Sequence, residues 1–219
     1  MSIGNARIIL KMRHLCFGGS FDPVHVGHLR CAQAVADGDL PPGGFERVVL
    51  IPAAISPLKT GDRAPPADAG DRLAMCRLAA DEENARLNRL LFEVNDLELS
   101  RPGPSYTIDT VRALRARGLT DPWWLIGADQ LSLLPRWREA ETLLREVNFL
   151  VVARPGWSFD FDALPTPFQA LRGRVATAPL LDISATDIRR RVAEGRSITG
   201  LVPASVERHI LRHGLYRRA

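Results

Sequence analysis

Cysteine is scarce in this 219-residue chain: Cys16, Cys31 and Cys76 lie far apart, with no Cys-x-x-Cys pair. An odd, scattered set argues against a disulfide framework and against a cysteine-built zinc site. It points instead to reduced thiols in a cytoplasmic protein. Long hydrophobic runs are missing too, and no segment approaches the roughly 18 apolar residues a membrane helix needs. The stretch from Met1 to Met12 holds one brief apolar patch, Ile8-Ile9-Leu10, and no cleavage-site pattern. Neither a signal peptide nor a membrane partner is therefore expected. No dense Lys/Arg patch interleaves with aromatics, which are only 6% of the chain, so a nucleic-acid partner is not expected either. Internal repeats and low-complexity tracts are absent.

What is present is ordinary in bulk. Hydrophobic residues make up 46% and charged residues 25%, which suits one soluble α/β domain with a real core. The net charge of +4 comes mostly from arginine, heaviest after Gly173, and fits polyanionic small molecules.

Short apolar or β-branched runs alternate with helical patterns. The strands expected are Leu15–Phe17, Arg47–Ile51, Leu91–Val94, Trp123–Ile126, Phe149–Ala153 and Val175–Ala178. Between and after them the pattern predicts helices over Gly27–Asp37, Asp71–Asn84, Thr107–Arg117, Arg138–Glu146, Thr186–Glu194 and Ala204–His213. This alternation implies a Rossmann-like, doubly wound parallel sheet with helices on both faces. Ligands in such sheets bind beyond the carboxyl ends of the strands. Residues 13–219 read as one domain whose last ~40 residues form a packed helical extension, with residues 1–12 as an N-terminal extension. The breaker-rich stretch from Pro52 to Gly70 reads as a functional or mobile loop.

The densest signal is the string Phe17-Gly18-Gly19-Ser20-Phe21-Asp22-Pro23-Val24-His25-Val26-Gly27-His28. A strand that breaks at Gly18-Gly19 and re-enters a helix is a phosphate-binding layout, because backbone N–H groups and the positive helix end point at the turn. The glycines permit φ > 0 and close approach, and His25 and His28 can donate to phosphate oxygens.

Further along, each candidate has a bland alternative beside its chemical one. Lys59, after the second strand, could reach an anion or be a solvated loop lysine. Ser105-Tyr106-Thr107 opens a helix and could cap it, bind an anionic group, or both. Gly127 and Asp129 follow a strand, where glycine allows close ligand approach and a carboxylate can accept ribose hydroxyls; the alternative is a helix cap. Trp137 could stack on a planar ring or belong to the core. Arg154 ends a strand at the presumed ligand edge and suits phosphate. Ser184 and Asp187 resemble a capping box.

Taken in order, these motifs resemble the nucleotidylyltransferase superfamily with its H-x-G-H signature, and within it bacterial nicotinate mononucleotide adenylyltransferases. The resemblance runs from about Leu15 to about Tyr216. It implies transfer of AMP from ATP to nicotinate mononucleotide, giving nicotinate adenine dinucleotide and pyrophosphate, with Mg²⁺ carried by ATP and no metal ligands from the chain itself. It assigns His25 and His28 as catalytic and as holding the ATP phosphates. It assigns Gly18, Gly19, Ser20, Phe21, Gly127, Asp129, Ser184, Thr186 and Arg189 to ATP, and Lys59, Thr107, Trp137 and Arg154 to the mononucleotide. The chain departs from the family's pattern at Leu58, where a histidine is usual. Pantetheine-phosphate adenylyltransferase chemistry, or a non-catalytic nucleotide or RNA binder, are the alternatives. Nicotinate against nicotinamide preference and oligomeric state stay open.

Overall fold

The computed structural model describes residues 12–57, 66–153, 156–179 and 181–217. Lys59, Leu58 and Arg154 lie outside the described residues. The six expected strands all form: β1 (His14–Gly19), β2 (Arg47–Pro52), β3 (Phe92–Val94), β4 (Trp123–Gly127), β5 (Asn148–Ala153) and β6 (Val175–Thr177). They make one sheet in the order β3-β2-β1-β4-β5-β6, parallel throughout. Chain direction of assembly reverses between β1 and β4, which opens a crevice at their carboxyl ends.

Period-two alternation divides the strands between two cores. Leu15, Leu50, Leu125 and Leu150 point to one face, while Cys16, Ile51, Ile126 and Val151 point to the other. The first face is covered by α1 (Val26–Ala36), α2 (Ala69–Leu87), α6 (Ala185–Ala193) and α7 (Ala204–Arg212). The second is covered by α3 (Thr107–Ala116) and α4 (Ala140–Glu146), with the short α5 (Thr166–Gln169) beside them. Burial on both faces explains why the strands read as near-continuous apolar runs rather than as alternating ones.

Local chemistry sets the boundaries. Asp68 accepts the Asp71 N–H at 2.7 Å and starts α2, and Asn88 ends it at φ 49°, a left-handed position asparagine tolerates. Asn84 then accepts from the backbone N–H groups of Leu91 and Phe92 and donates to the Phe92 carbonyl, which fixes the entry into β3. Pro203 precedes α7 and offers no side-chain cap. Glu82 of α2 takes that place, accepting from Ala204 N and Ser205 N at 2.9 and 2.7 Å.

Three expectations are corrected. Helix α4 begins at Ala140, because Glu139 sits at φ 50° and breaks the run expected from Arg138. Gly18 and Gly19 belong to β1 itself, paired with Ile51 and Pro52 of β2, and neither has positive φ. The left-handed residue of this turn is Phe21, at φ 47°. Finally, residues 156–174 contain α5 and two 3₁₀ turns, which the sequence reading passed over. The available signal was Phe161, Leu164, Phe168 and Leu171, all buried at helical spacing.

Candidate active site

A cleft of about 930 Å³ opens over the carboxyl ends of β1, β4 and β5. Its floor is glycine for steric reasons. A Cβ on Gly18 would lie 2.9 Å from the Trp124 ring, and one on Gly127 would lie 2.5 Å from Asp129 Oδ1. Side chains at either position would push into the cleft wall or displace the Asp129 carboxylate.

The two histidines are joined in a reciprocal cap at the start of α1. His28 N–H donates to His25 Nδ1, and His25 N–H donates to His28 Nδ1, each at 3.3 Å. Since both Nδ1 atoms accept, each neutral ring carries its proton on Nε2. The backbone thus selects the tautomer, and both rings border the cleft as Nε2–H donors. The rings stack 3.6 Å apart, and edge contacts from Phe17 and Phe21 hold His28 in orientation.

His25 is only 6% exposed, and burial lowers its pKa to about 4. The sign follows from linkage: the unfolded ring, at its ordinary 6.5, binds a proton before the folded one does. His25 therefore contributes stability that is full above pH 6.5 and lost as pH falls toward 4, on the order of 3 kcal/mol. Urea unfolding of the wild type should lose this increment over that window, and His25→Gln should show a flatter profile there. Parallel profiles for the two proteins would contradict the assignment.

The remaining predicted residues divide. Ser20, Thr107, Asp129, Trp137 and Ser184 also line the cleft. Ser184 does cap α6, accepting from Asp187 N at 3.1 Å. Ser105 and Thr107 do not cap α3: Tyr106 occupies the cap position without a side-chain bond, and Ser105 Oγ instead accepts from Ala54 N at 3.0 Å. The α3 start thus borders the cleft through Tyr106 and Thr107 without a side-chain cap. Asp129 caps nothing either; Gln130 Nε2 donates to it at 2.7 Å. Trp137 packs against Phe149, and its indole Nε1 is buried without a hydrogen bond among the described residues. Such a donor is costly to leave unmade unless a ligand takes it up.

Phe21, Thr186 and Arg189 are not among the cleft-lining residues. Phe21 is buried in the core below the turn. Arg189 Nη1 donates to the Asp22 carbonyl at 2.7 Å and its Nη2 to Thr186 Oγ1 at 3.3 Å. These residues brace the turn from behind.

Sequence reasoning missed the anchor beneath it. Arg72 is 2% exposed and its guanidinium donates to the carbonyls of Ser20, Ala53 and Ala54 at 2.8, 2.6 and 3.3 Å. It ties the loop after β1 to the loop after β2. Burial lowers its pKa, opposed by the charge of Asp22. Buried Asp22 accepts at Oδ1 from Tyr216 Oη at 2.7 Å and from Ala67 N at 3.3 Å. Burial, then the neighbouring Asp22 charge, raises the Tyr216 pKa. A fully buried arginine on an otherwise amphipathic helix gives no periodic signal, and Tyr216 is 194 residues from Asp22.

Among the described residues, two carboxylates line the cleft, Glu98 and Asp129. Glu98 is held above the usual carboxylate range by burial, although it accepts from Thr110 Oγ1. This donor set is too small for an all-protein Mg²⁺ cage but suits an ion that arrives on phosphate oxygens and keeps its waters.

The cytidylyltransferase-like family model matches residues 16–191. A relative from Roseiflexus sp. (strain RS-1), named "Probable nicotinate-nucleotide adenylyltransferase", is 44% identical over 202 residues, covering 91% of this chain and 96% of that protein. One of the same name from Bordetella petrii is 46% identical over 204 residues, with the same coverage. Among solved structures, the Plasmodium falciparum nicotinic acid mononucleotide adenylyltransferase complexed with NaAD matches with TM-score 0.70 at 16% identity, covering 93% of this chain and 97% of that one.

Proposed function

The chain belongs to the cytidylyltransferase-like family, alongside nicotinate-nucleotide adenylyltransferases, and from that premise we propose its reaction in terms of its own residues. It is a nicotinate-nucleotide adenylyltransferase of NAD biosynthesis. A phosphate oxygen of nicotinate mononucleotide attacks the α-phosphorus of ATP in line. The bond to the bridging oxygen of the β-phosphate breaks, and pyrophosphate leaves with its electron pair. The nucleophile is already an anion, so no covalent enzyme intermediate is needed, and the protein's task is positioning and charge stabilisation.

The observation that most supports this reading is the reciprocal His25–His28 cap beside the cleft. Two preset Nε2–H donors at the positive end of a helix suit the charge that grows on a transferred phosphoryl group. ATP would take the half bordered by Gly18, Gly19, Ser20, Gly127, Asp129 and Ser184, with Phe21, Thr186 and Arg189 acting from behind. The mononucleotide would take the half bordered by Thr107 and Trp137, with Lys59 and Arg154 as further contacts. Mg²⁺ bound to ATP would neutralise phosphate charge. Residues 13–219 would work as one domain, in the cytoplasm.

Pyrophosphate release with ATP and a panel of phosphorylated acceptors tests the assignment. Nicotinate mononucleotide should release it, and pantetheine phosphate should not. Release with pantetheine phosphate alone, or with no acceptor in the panel, would sink the reading. The ratio for nicotinate over nicotinamide mononucleotide follows from the same assay.

A further inference from the structure

We propose that Asp71, His209 and His213 form a site for one divalent transition-metal ion of the zinc type, bridging the first turn of α2 to the end of α7. Among the described residues this is the cluster of three metal-ligating side chains in which one carboxylate oxygen and one nitrogen of each imidazole all lie within 4.8 Å of one another. It does not border the cleft and lies outside the reaction proposed above.

The placement follows from helix geometry. His209 and His213 are one turn apart, so both rings leave α7 on the same side. They stack 4.1 Å apart at 30°. Asp71 approaches from α2, with Oδ1 2.9 Å from His209 Nε2. That short gap holds a proton in the metal-free protein. Ligands bonded to Zn²⁺ at about 2.0–2.1 Å in tetrahedral array stand roughly 3.3 Å apart. The Asp71–His209 pair therefore needs to open by only a few tenths of an ångström as the ion takes the proton's place, and in a neutral ring that proton moves to Nδ1 of His209.

The third ligand is prepared by a backbone bond. His213 Nδ1 lies 2.9 Å from the His209 carbonyl oxygen, and since a carbonyl only accepts, Nδ1 carries the proton and Nε2 the lone pair. A ligating histidine fixed by a carbonyl on its other nitrogen is the usual outer-shell arrangement of metal sites. His213 is exposed, so an ion can reach its Nε2 from solvent without the ring leaving that bond. Two imidazoles and one carboxylate favour Zn²⁺, Cu²⁺ or Ni²⁺ over Mg²⁺, which prefers oxygen ligands and its own waters. Three protein ligands leave a fourth position for water.

The site would also matter mechanically. Glu82 already fastens α2 to the start of α7, and a metal would fasten the other end. Asp71 adjoins Arg72, which holds the loops after β1 and β2, so a bound ion would stiffen the support of the phosphate turn.

Tag-free protein titrated with Zn²⁺ at neutral pH, followed by calorimetry and thermal melting, tests this. The expected result is one Zn²⁺ per chain, tighter than about 50 µM, with a raised melting midpoint and no displacement by Mg²⁺ in large excess. His213→Ala keeps the His209–Asp71 pair and the fold, and should weaken Zn²⁺ binding by at least about tenfold; Asp71→Asn should do the same. Binding weaker than about 50 µM in the wild type, equal binding by His213→Ala, or loss of binding in Cys31→Ser would each overturn the proposal. The first two outcomes would leave the cluster a plain hydrogen-bonded pair with a neighbouring histidine, and the third would assign the ion to a thiol.

Discussion

Replacing His28 with alanine is expected to lower turnover on the order of 10²–10³-fold while the protein stays folded, the range seen when one preset donor to transition-state charge is removed. The reason lies in how the ring is held. His28 Nδ1 accepts from the His25 backbone, and Phe17 and Phe21 contact its edges. Its Nε2–H is thereby oriented before substrate arrives, and a preoriented dipole needs no reorganisation as charge develops. Alanine removes the donor and half of the helix cap, the latter costing about 1 kcal/mol, far less than a 219-residue fold needs to unfold. The loss should therefore appear in kcat at saturating ATP and nicotinate mononucleotide, with a circular dichroism spectrum like that of the wild type. His28→Asn keeps an N–H donor at shorter reach and should recover part of the rate. Turnover within threefold of wild type in His28→Ala would remove this residue from the mechanism.

Arg72→Met should be the most destabilising single change outside the apolar core. Methionine fills similar space but leaves the carbonyls of Ser20, Ala53 and Ala54 without their donor. It also removes a buried positive charge near Asp22. Unpaired buried acceptors and an uncompensated buried charge together cost on the order of 3–5 kcal/mol. For a chain of this size that is a fall in melting midpoint of roughly 6–20 °C. Arg72→Lys restores a charge but not a fork that spans two loops, and should recover less than half. A midpoint within about 2 °C of the wild type for Arg72→Met would show that the clamp contributes nothing to stability.

The elements of the fold could be read from the chain because strands and helices mark it differently. Strands buried on both faces gave unbroken apolar runs such as Val48–Pro52, and the helices between them carried apolar stripes. A boundary slipped where a backbone angle decided it. Glu139 delays α4 through its left-handed φ, whereas α7 starts at Ala204 as expected, although its cap, Glu82, comes from another helix. The 161–171 segment was missed because Pro165 and short turns masked a real helical spacing.

Much of the site was legible for a different reason. Gly18, Gly19, Ser20, His25, His28, Thr107, Gly127, Asp129 and Ser184 each sit at the carboxyl end of a strand, just past one, or at a helix start. In a doubly wound sheet those positions converge by topology alone, and the cleft gathers them. Arg189 and Phe21 lie in the same stretches of sequence yet turn behind the turn rather than into the cleft. Side-chain direction at that point depends on which neighbour supplies an acceptor, and Asp22 supplies one for Arg189.

By itself, then, the sequence determined the parallel sheet, the order of its elements and the glycine–histidine string at the first strand's end, because these follow from local periodicity and from connection rules. Packing decides why Gly18 and, beyond that string, Gly127 are glycine: Trp124 and Asp129 occupy the space a side chain would need. Only the tertiary structure decided which nitrogen of each histidine bears the proton, and that Arg72 and Tyr216 support the turn from 52 and 194 residues away. Contacts across such separations leave no periodic mark on the chain, since they depend on where folding brings distant groups and not on the spacing of neighbours.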